Sequence, residues 1–359
     1  MRILKYLSFL TAIAAALLFS GISSCIMDPC SVGEPDSLFS EYLLVWDLVD
    51  RHYACFFAKG NVDWDEIYQL YKPAAENLSN REQLNDICLD MLGEFRDQNL
   101  ILHDTAGIRM EGWNQNKFVN WDITVLEDYM QRWSPPGIII TLNTYGALAF
   151  KVAPSDTLGY VYISNLGSPF SYMGFYGATN AIAGCSGTIF DLRMCGSNAG
   201  IEYNALVASG RFITEFVPAY YRAFRTGPGR CDMGEMEEVR TTRNGAWQYA
   251  EPVVLLTGRY THGAAEQFVL LLSTQGNVTV IGDTTAGFAN PSVLFNLTED
   301  YTIEIPEMVT YTLDGTLLMN EGIPPDIYIP VSEADFTAGV DPVIDAAIDM
   351  LLQQKVIER

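Results

Sequence analysis

Apolar residues recur every three to four positions over residues 38–58 (LFSEYLLVWDLVDRHYACFFA), 62–78 (VDWDEIYQLYKPAAENL) and 79–95 (SNREQLNDICLDMLGEF). That period puts them on one face of a helix, so the spacing predicts three amphipathic helices that bury their stripes against one another. Ser79, with Gln83 shortly after it, reads as the N-cap of the third. From residue 105 to 155 the period is lost. Trp113, Trp121, Trp133 and the Pro135-Pro136-Gly137 break predict short strands and loops there.

The second half has a different rhythm. LGYVYI (158–163), GTIFDLR (187–193), PVVLLT (252–257) and VTVIGD (278–283) are short apolar runs that predict buried strands. Between them SYMGFYGATNAIAG, AGIEYNALVASGRF and AAEQFVLLLSTQG predict helices. Strands alternating with helices indicate a layered α/β domain with parallel pairing. Residues 292–311 alternate with period two, as a β-hairpin region does. The tail DPVIDAAIDMLLQQKVI predicts a closing amphipathic helix capped by Asp341, with Pro342 at its first position. No tandem repeat is visible.

Composition and charge narrow the function classes. The chain has 359 residues, 49% of them hydrophobic, enough for a sizeable core. A net charge of −23 argues against a nucleic-acid partner, which needs clustered Lys and Arg, and against a bare electrostatic hold on an anionic membrane. The N-terminus carries Arg2 and Lys5, then the apolar YLSFLTAIAAALLFSG, then Ile22-Ser23-Ser24-Cys25. This is a targeting segment. It resembles a lipoprotein signal peptide ending at residue 24, with Cys25 as the lipidated first residue of the mature chain. An ordinary secretory signal cut near Ser24 is the alternative. Residues 25–37 then read as a tether, 38–104 as a helical domain, 105–155 as a small mixed region, 156–335 as the α/β core and 336–359 as the closing helix. Export permits disulfides, and Cys195 with Cys231 or Cys55 with Cys88 are open pairings beside free buried thiols. No CxxC pair occurs and His is scarce, so neither a metal site nor a cofactor is expected.

The stretch YTHGAAEQF (260–268) directly follows an apolar strand and opens a helix. Hydrolases hold a nucleophile at such a turn. Together with VDWDEIYQLYKP and MLGEFRDQN, GTIFDLRMCGSNAG, IGDTTAG, DGTLLMNEGIPPDIYI and DPVIDAAIDML, it resembles the C-terminal-processing (tail-specific) and tricorn-like serine peptidases, over residues 38–104 and 156–355. The resemblance implies a crotonase-like (ClpP-like) superhelical α/β core behind an N-terminal helical domain. It also implies where the catalytic groups fall. The nucleophile serine of the Ser-x-x-Glu motif falls on Gly263, with Glu266 in place. The lysine base of the processing branch falls on Phe288. The histidine base of the tricorn-like branch falls on Asn99, and its orienting acid is retained as Glu321. Processing peptidases commonly insert a PDZ module, for which residues 105–155 are too few.

Acyl transfer needs a nucleophile, a base within reach and donors for the oxyanion. Glycine supplies no nucleophile, and an asparagine amide does not take a proton near neutral pH. Thr261, His262 and His103 are the candidates for rescue, each against a plain structural role. Glu266 is expected to support the helix start, and Glu321 either to be a leftover of the former site or to pair with Arg193 or His262. Asp191 and Arg193 are expected to form a structural ion pair. The helix-start N–H groups at Gly263, Ala264 and Ala265, with the loop carrying Gly196 and Gly200, are expected to leave an anion-friendly hollow. The reading is a cell-envelope lipoprotein of this family that binds a peptide or small ligand in the former catalytic cleft. The alternative is a serine-type peptidase using a non-standard nucleophile.

Overall fold

The computed structural model describes residues 36–104, 109–112, 118–133, 147–152, 158–167, 170–196 and 202–357. Cys25, Cys30 and Gly200 lie outside the described residues. Elements are numbered in chain order.

Helices α1 (Leu38–His52), α2 (Trp64–Ala75) and α3 (Arg81–Gly93) form the N-terminal helical region. The first run stops at His52, and Phe56–Ala58 is a separate 3-10 turn. The N-cap of α3 is Asn80, not Ser79. Its side chain accepts from the Gln83 N–H at 2.9 Å, the three-residue span that N-cap geometry requires. Gln83 in turn accepts from the Ser79 N–H at 2.9 Å. The apolar stripes of all three helices meet around Tyr42, Trp64 and Phe95, in a core that continues into Phe295, Ile303 and Val309. Strands β1 (Ile101–His103), β2 (Arg109–Glu111), β10 (Ser292–Asn296) and β11 (Thr302–Pro306) form an antiparallel sheet in the order β10-β11-β1-β2. The helical region is therefore stitched to a hairpin two hundred residues away in sequence.

Residues 105–155 contain a helix that the loop-and-strand expectation did not include, α4 (Ile123–Trp133). Asp122 caps it, accepting from the Thr124 N–H at 2.8 Å, and Val125, Leu126, Tyr129 and Trp133 bury one face. Aromatic residues lower helix propensity only slightly, and this apolar face outweighs it.

The central sheet has six strands in the order β13-β9-β8-β5-β4-β3. These are β3 (Ala147–Val152), β4 (Leu158–Ile163), β5 (Gly187–Asp191), β8 (Val253–Thr257), β9 (Val278–Gly282) and β13 (Ile327–Tyr328). All neighbours run parallel except β3 with β4. Every residue of β5 and β8 is buried, as a parallel sheet covered on both faces demands. Helices α5 (Tyr172–Ala181), α6 (Glu202–Ser209) and α7 (Ala264–Leu272) cover one face. Helix α4 and the closing helix α9 (Pro342–Ile357) cover the other, and a short α8 (Glu333–Thr337) precedes α9. Strands β6 (Pro218–Phe224), β7 (Glu237–Arg240) and β12 (Met308–Tyr311) make a third sheet, so the period-two run 292–311 is shared between two sheets. Cys55, Cys88, Cys185 and Cys195 are buried thiols and Cys231 is an exposed one, so neither open pairing, Cys195 with Cys231 or Cys55 with Cys88, is formed.

Two buried charge clusters lock this arrangement. Arg193, fully buried past the end of β5, donates to Asp191 Oδ2 at 2.7 Å, to Asp341 Oδ1 at 3.0 Å and to the Asn120 carbonyl at 2.7 Å. Asp341 also caps α9, accepting from the Val343 and Ile344 N–H groups at 3.1 Å. Burial alone would lower the Arg193 pKa, but the two aspartates outweigh it and hold the pKa above the usual value. The second cluster is Glu266 in the first turn of α7, fully buried. Its carboxylate accepts from the Thr285 hydroxyl and from the Gly287 and Phe288 N–H groups, each backbone contact at 2.7 Å. Desolvation still outweighs these bonds and raises its pKa to about 7.

Arg193→Ala leaves two buried carboxylates without their counter-charge, and urea unfolding should show a loss of about 3–5 kcal/mol. For Glu266 the folded pKa lies above the ordinary value of 4.5. Its protonation therefore stabilises the fold fully below that value, and the contribution fades as pH rises through about 7. Between pH 5 and 8.5 this group should withdraw about 2–3 kcal/mol. Burial also raises Asp97 and Asp341, which act in the same direction. The expected outcome is thus a smaller pH dependence of unfolding free energy in Glu266→Gln than in the parent chain.

Candidate functional site

The chain leaves β8 at Thr257, turns through residues 258–263 and enters α7. Gly263 is the N-cap, with φ 63° and ψ −128°. Positive φ is the left-handed region that glycine enters without a Cβ penalty, and a side chain held there stores roughly 1–3 kcal/mol of strain. A nucleophile turn has this kind of backbone, and here it carries no side chain at all.

The anion-friendly hollow is not what the turn presents. The Gly263 N–H donates to the Phe288 carbonyl at 3.2 Å, and the Ala265 N–H to the His262 carbonyl at 3.3 Å. The cause is Glu266, which draws the 285–288 turn onto the helix start from below. Its support of the helix start is as expected, but through side-chain bonds to that turn. Thr261 is not available as a nucleophile either. It is fully buried, its hydroxyl donates to the Leu192 carbonyl at 2.8 Å and accepts from the Gly258 N–H at 3.0 Å.

Asn99 is nine-tenths buried, its N–H bound to Asp97 Oδ1 at 2.9 Å, and its side-chain nitrogen has no hydrogen-bond partner. Asp97 is held in turn by the Tyr53 hydroxyl at 2.7 Å. A short chain of contacts connects this segment to the turn. The Arg96 carbonyl accepts from Asn320 Nδ2 at 3.3 Å, and the Asn320 N–H donates to the Gly287 carbonyl at 2.8 Å. Gly287 adjoins Phe288, whose carbonyl takes the Gly263 N–H. The segments bearing Asn99, Glu321, Phe288 and Gly263 are thereby brought together. The Glu321 side chain is exposed. It pairs with neither expected partner: Arg193 is saturated by Asp191 and Asp341 on the far side of the strand end. His103 is likewise committed, with Nε2 3.0 Å from Glu304 Oε1 across the β1–β11 pair. The expected Asp191–Arg193 ion pair is present.

Beside Gly263 lies a cavity of about 300 Å³ lined by Ser164, Asn165, Met194, Gly196, Tyr260 and His262. His262 lies over Gly196 so closely that a Cβ there would sit 2.5 Å from its Nε2. Ser164, Asn165, Met194 and Tyr260 were not among the candidates from sequence. The signal available was their place just after strand ends, since ligands of parallel sheets bind outside the carboxyl ends of the strands. Among the described residues no three His, Cys, Asp or Glu side chains gather to hold a metal ion. No described helix is long and apolar enough to cross a membrane.

The comparisons with known proteins agree with this geometry. The model of peptidase family S41 matches residues 157–329, and that of the tricorn protease C1 domain matches residues 40–93. A comparison with curated proteins finds no match. Among solved structures, a candidate peptidase of Parabacteroides merdae is similar at 24% identity and TM-score 0.72, covering 88% of this chain and 97% of its own. Mature CPAF in complex with lactacystin is similar at 10% identity and TM-score 0.61, covering 88% and 97%. A lipoprotein of Streptococcus agalactiae is similar at 12% identity and TM-score 0.55, covering 86% and 98%. At these identities the structures establish a shared fold, a parallel-sheet α/β core behind an N-terminal helical region. The α/β core, residues 157–329, thus belongs to peptidase family S41, and residues 40–93 of the helical region match the C1 domain of the tricorn protease.

Proposed function

We propose that this chain is an S41-family protein that no longer hydrolyses peptide bonds, and that it binds a peptide or small ligand in the former catalytic cleft while anchored to the cell envelope by lipid on Cys25. The observation that carries the reading is Gly263, a residue without a side chain at the nucleophile turn, whose N–H is already bonded to Phe288. Asn99 at the base position supports it, because an amide has no basic lone pair to offer a serine. Loss of a serine peptidase's nucleophile alone costs on the order of a millionfold in turnover. The lipobox-like Ile22-Ser23-Ser24-Cys25 supports the anchor, and a similar fold occurs in a streptococcal lipoprotein.

A second reading, serine-type hydrolysis through another hydroxyl, is favoured by one observation. Ser164 shares the cavity with His262.

The two readings separate experimentally. The purified chain should neither cleave a casein-derived peptide mixture nor take up a fluorophosphonate probe. Labelling of Ser164, with cleavage lost in Ser164→Ala, would establish the second reading and end the first. Gly263→Ser with Asn99→His should regain weak hydrolysis at a stability loss of about 1–3 kcal/mol, the strain of a side chain at positive φ. No turnover in a double variant that folds would mean that the cleft has changed beyond these two positions. For the anchor, the expressed chain should partition into the detergent phase of Triton X-114 and incorporate labelled palmitate, and Cys25→Ser should do neither.

A further inference from the structure

The cavity beside Gly263 differs in character from the rest of the molecule. The chain carries 44 acidic and 21 basic residues. Yet residues 157–190, which supply Ser164 and Asn165, contain no Asp, Glu, Lys or Arg, and neither do residues 194–201 or 260–265. None of the six lining residues is a carboxylate, an ammonium or a guanidinium. Six charged residues flank these segments in sequence; Asp156 lies outside the described residues, and the other five are engaged elsewhere, Glu202 with Arg222 and Glu266 with the 285–288 turn. Arg193 is fully buried between Asp191 and Asp341, and Arg259 bonds Asp283 at 3.1 Å.

The main chain around the cavity is also committed. The Gly196 N–H donates to the Ser164 carbonyl and the Leu166 N–H to the Gly196 carbonyl, both at 3.3 Å. The His262 N–H donates to the Cys195 carbonyl at 3.1 Å, and the Gly263 N–H is held by Phe288. A carboxylate entering here would leave water without gaining backbone donors, and an ammonium would meet no counter-charge. Either burial costs several kcal/mol. What the walls do offer is the Met194 thioether, the Tyr260 ring, 36% exposed, the imidazole of His262 laid over the Gly196 backbone, and two neutral polar side chains, Ser164 and Asn165, which carry dipoles but no counter-charge. Methionine adapts its shape and makes favourable sulfur–aromatic contacts. At about 300 Å³ the cavity is at the small end of ligand sites, room for one large side chain rather than a whole ligand.

We propose that this cavity is an electroneutral subsite that takes one uncharged apolar side chain of a bound peptide, aromatic or methionine, and rejects acidic and basic ones. The inference rests on the peptide-binding reading above and sharpens it. The protein's net charge of −23 adds a long-range bias against acidic peptides, while the cavity discriminates at contact against both signs.

The test uses calorimetry at pH 8, where an ordinary imidazole is uncharged. The probes are blocked hexapeptides acetyl-Ala-Ala-X-Ala-Ala-Ala-amide with X as Phe, Met, Glu or Lys. The Phe and Met peptides should bind at least tenfold more tightly than the Glu and Lys peptides. Met194→Asp should weaken the Phe peptide at least tenfold and improve the Lys peptide. Tyr260→Ala, at a half-exposed position that folding tolerates, should weaken the Phe peptide without improving the Lys peptide. Equal binding of all four peptides, unchanged in both variants, would overturn the subsite while leaving peptide binding intact. No binding by any of the four would overturn the peptide-binding reading and the subsite with it.

Discussion

A carboxylate taken entirely out of water has to be surrounded by donors, and in this protein Glu266 finds them in a turn some twenty residues downstream. The Thr285 hydroxyl and the N–H groups of Gly287 and Phe288 converge on it. The helix that begins at Gly263 and the turn 285–288 are thus one rigid body. From that turn the contacts run through Gly287 to Asn320 and through Asn320 to Arg96. The relative placement of Gly263, Phe288 and Asn320 descends from this clamp. Even so, desolvation raises the carboxyl pKa to about 7, so the protein carries at its centre a group poised between charge states.

The clamp also engages the backbone at the start of the Gly263 helix. With Phe288 held against the helix start, its carbonyl occupies the Gly263 N–H. In an acyl-transfer site, helix-start donors face the developing oxyanion. Here they are consumed within the protein. Thr261, the neighbouring hydroxyl, is consumed too, as a strut between Leu192 and Gly258. Donors engaged in this way, at Gly263 and Ala265, are not available to a developing oxyanion.

The opposite sheet face has its own lock. Arg193 joins the end of β5 to the cap of the closing helix through Asp191 and Asp341. Both charge clusters lie outside the cavity, which leaves the cavity walls neutral. A strongly acidic surface around a neutral hollow separates two tasks. On the proposed peptide-binding reading, the surface would set the long-range field and the hollow would read a side chain without a charge of its own.

Much of this was legible in the residues alone. The three helices, the alternating strands of the core, the Asp341-Pro342 start of the last helix and the place of Gly263 at a strand-to-helix turn all follow from local periodicity and capping chemistry, which depend on neighbours a few positions away. The family could be recognised because its motifs are short, ordered segments of that kind. What remained hidden was of two sorts. Helix α4 carried an apolar stripe of Val125, Leu126, Tyr129 and Trp133 behind an Asp122 cap, but its tryptophans and the proline break nearby masked the period. The rest was beyond local reading: the Glu266 clamp, the exposure of Glu321, the diversion of His103 to Glu304, and the cavity that Ser164 and His262 share. Each depends on residues far apart in sequence. Such pairings are decided when buried polar groups compete for the few partners within reach, and only the folded chain fixes which of them are near.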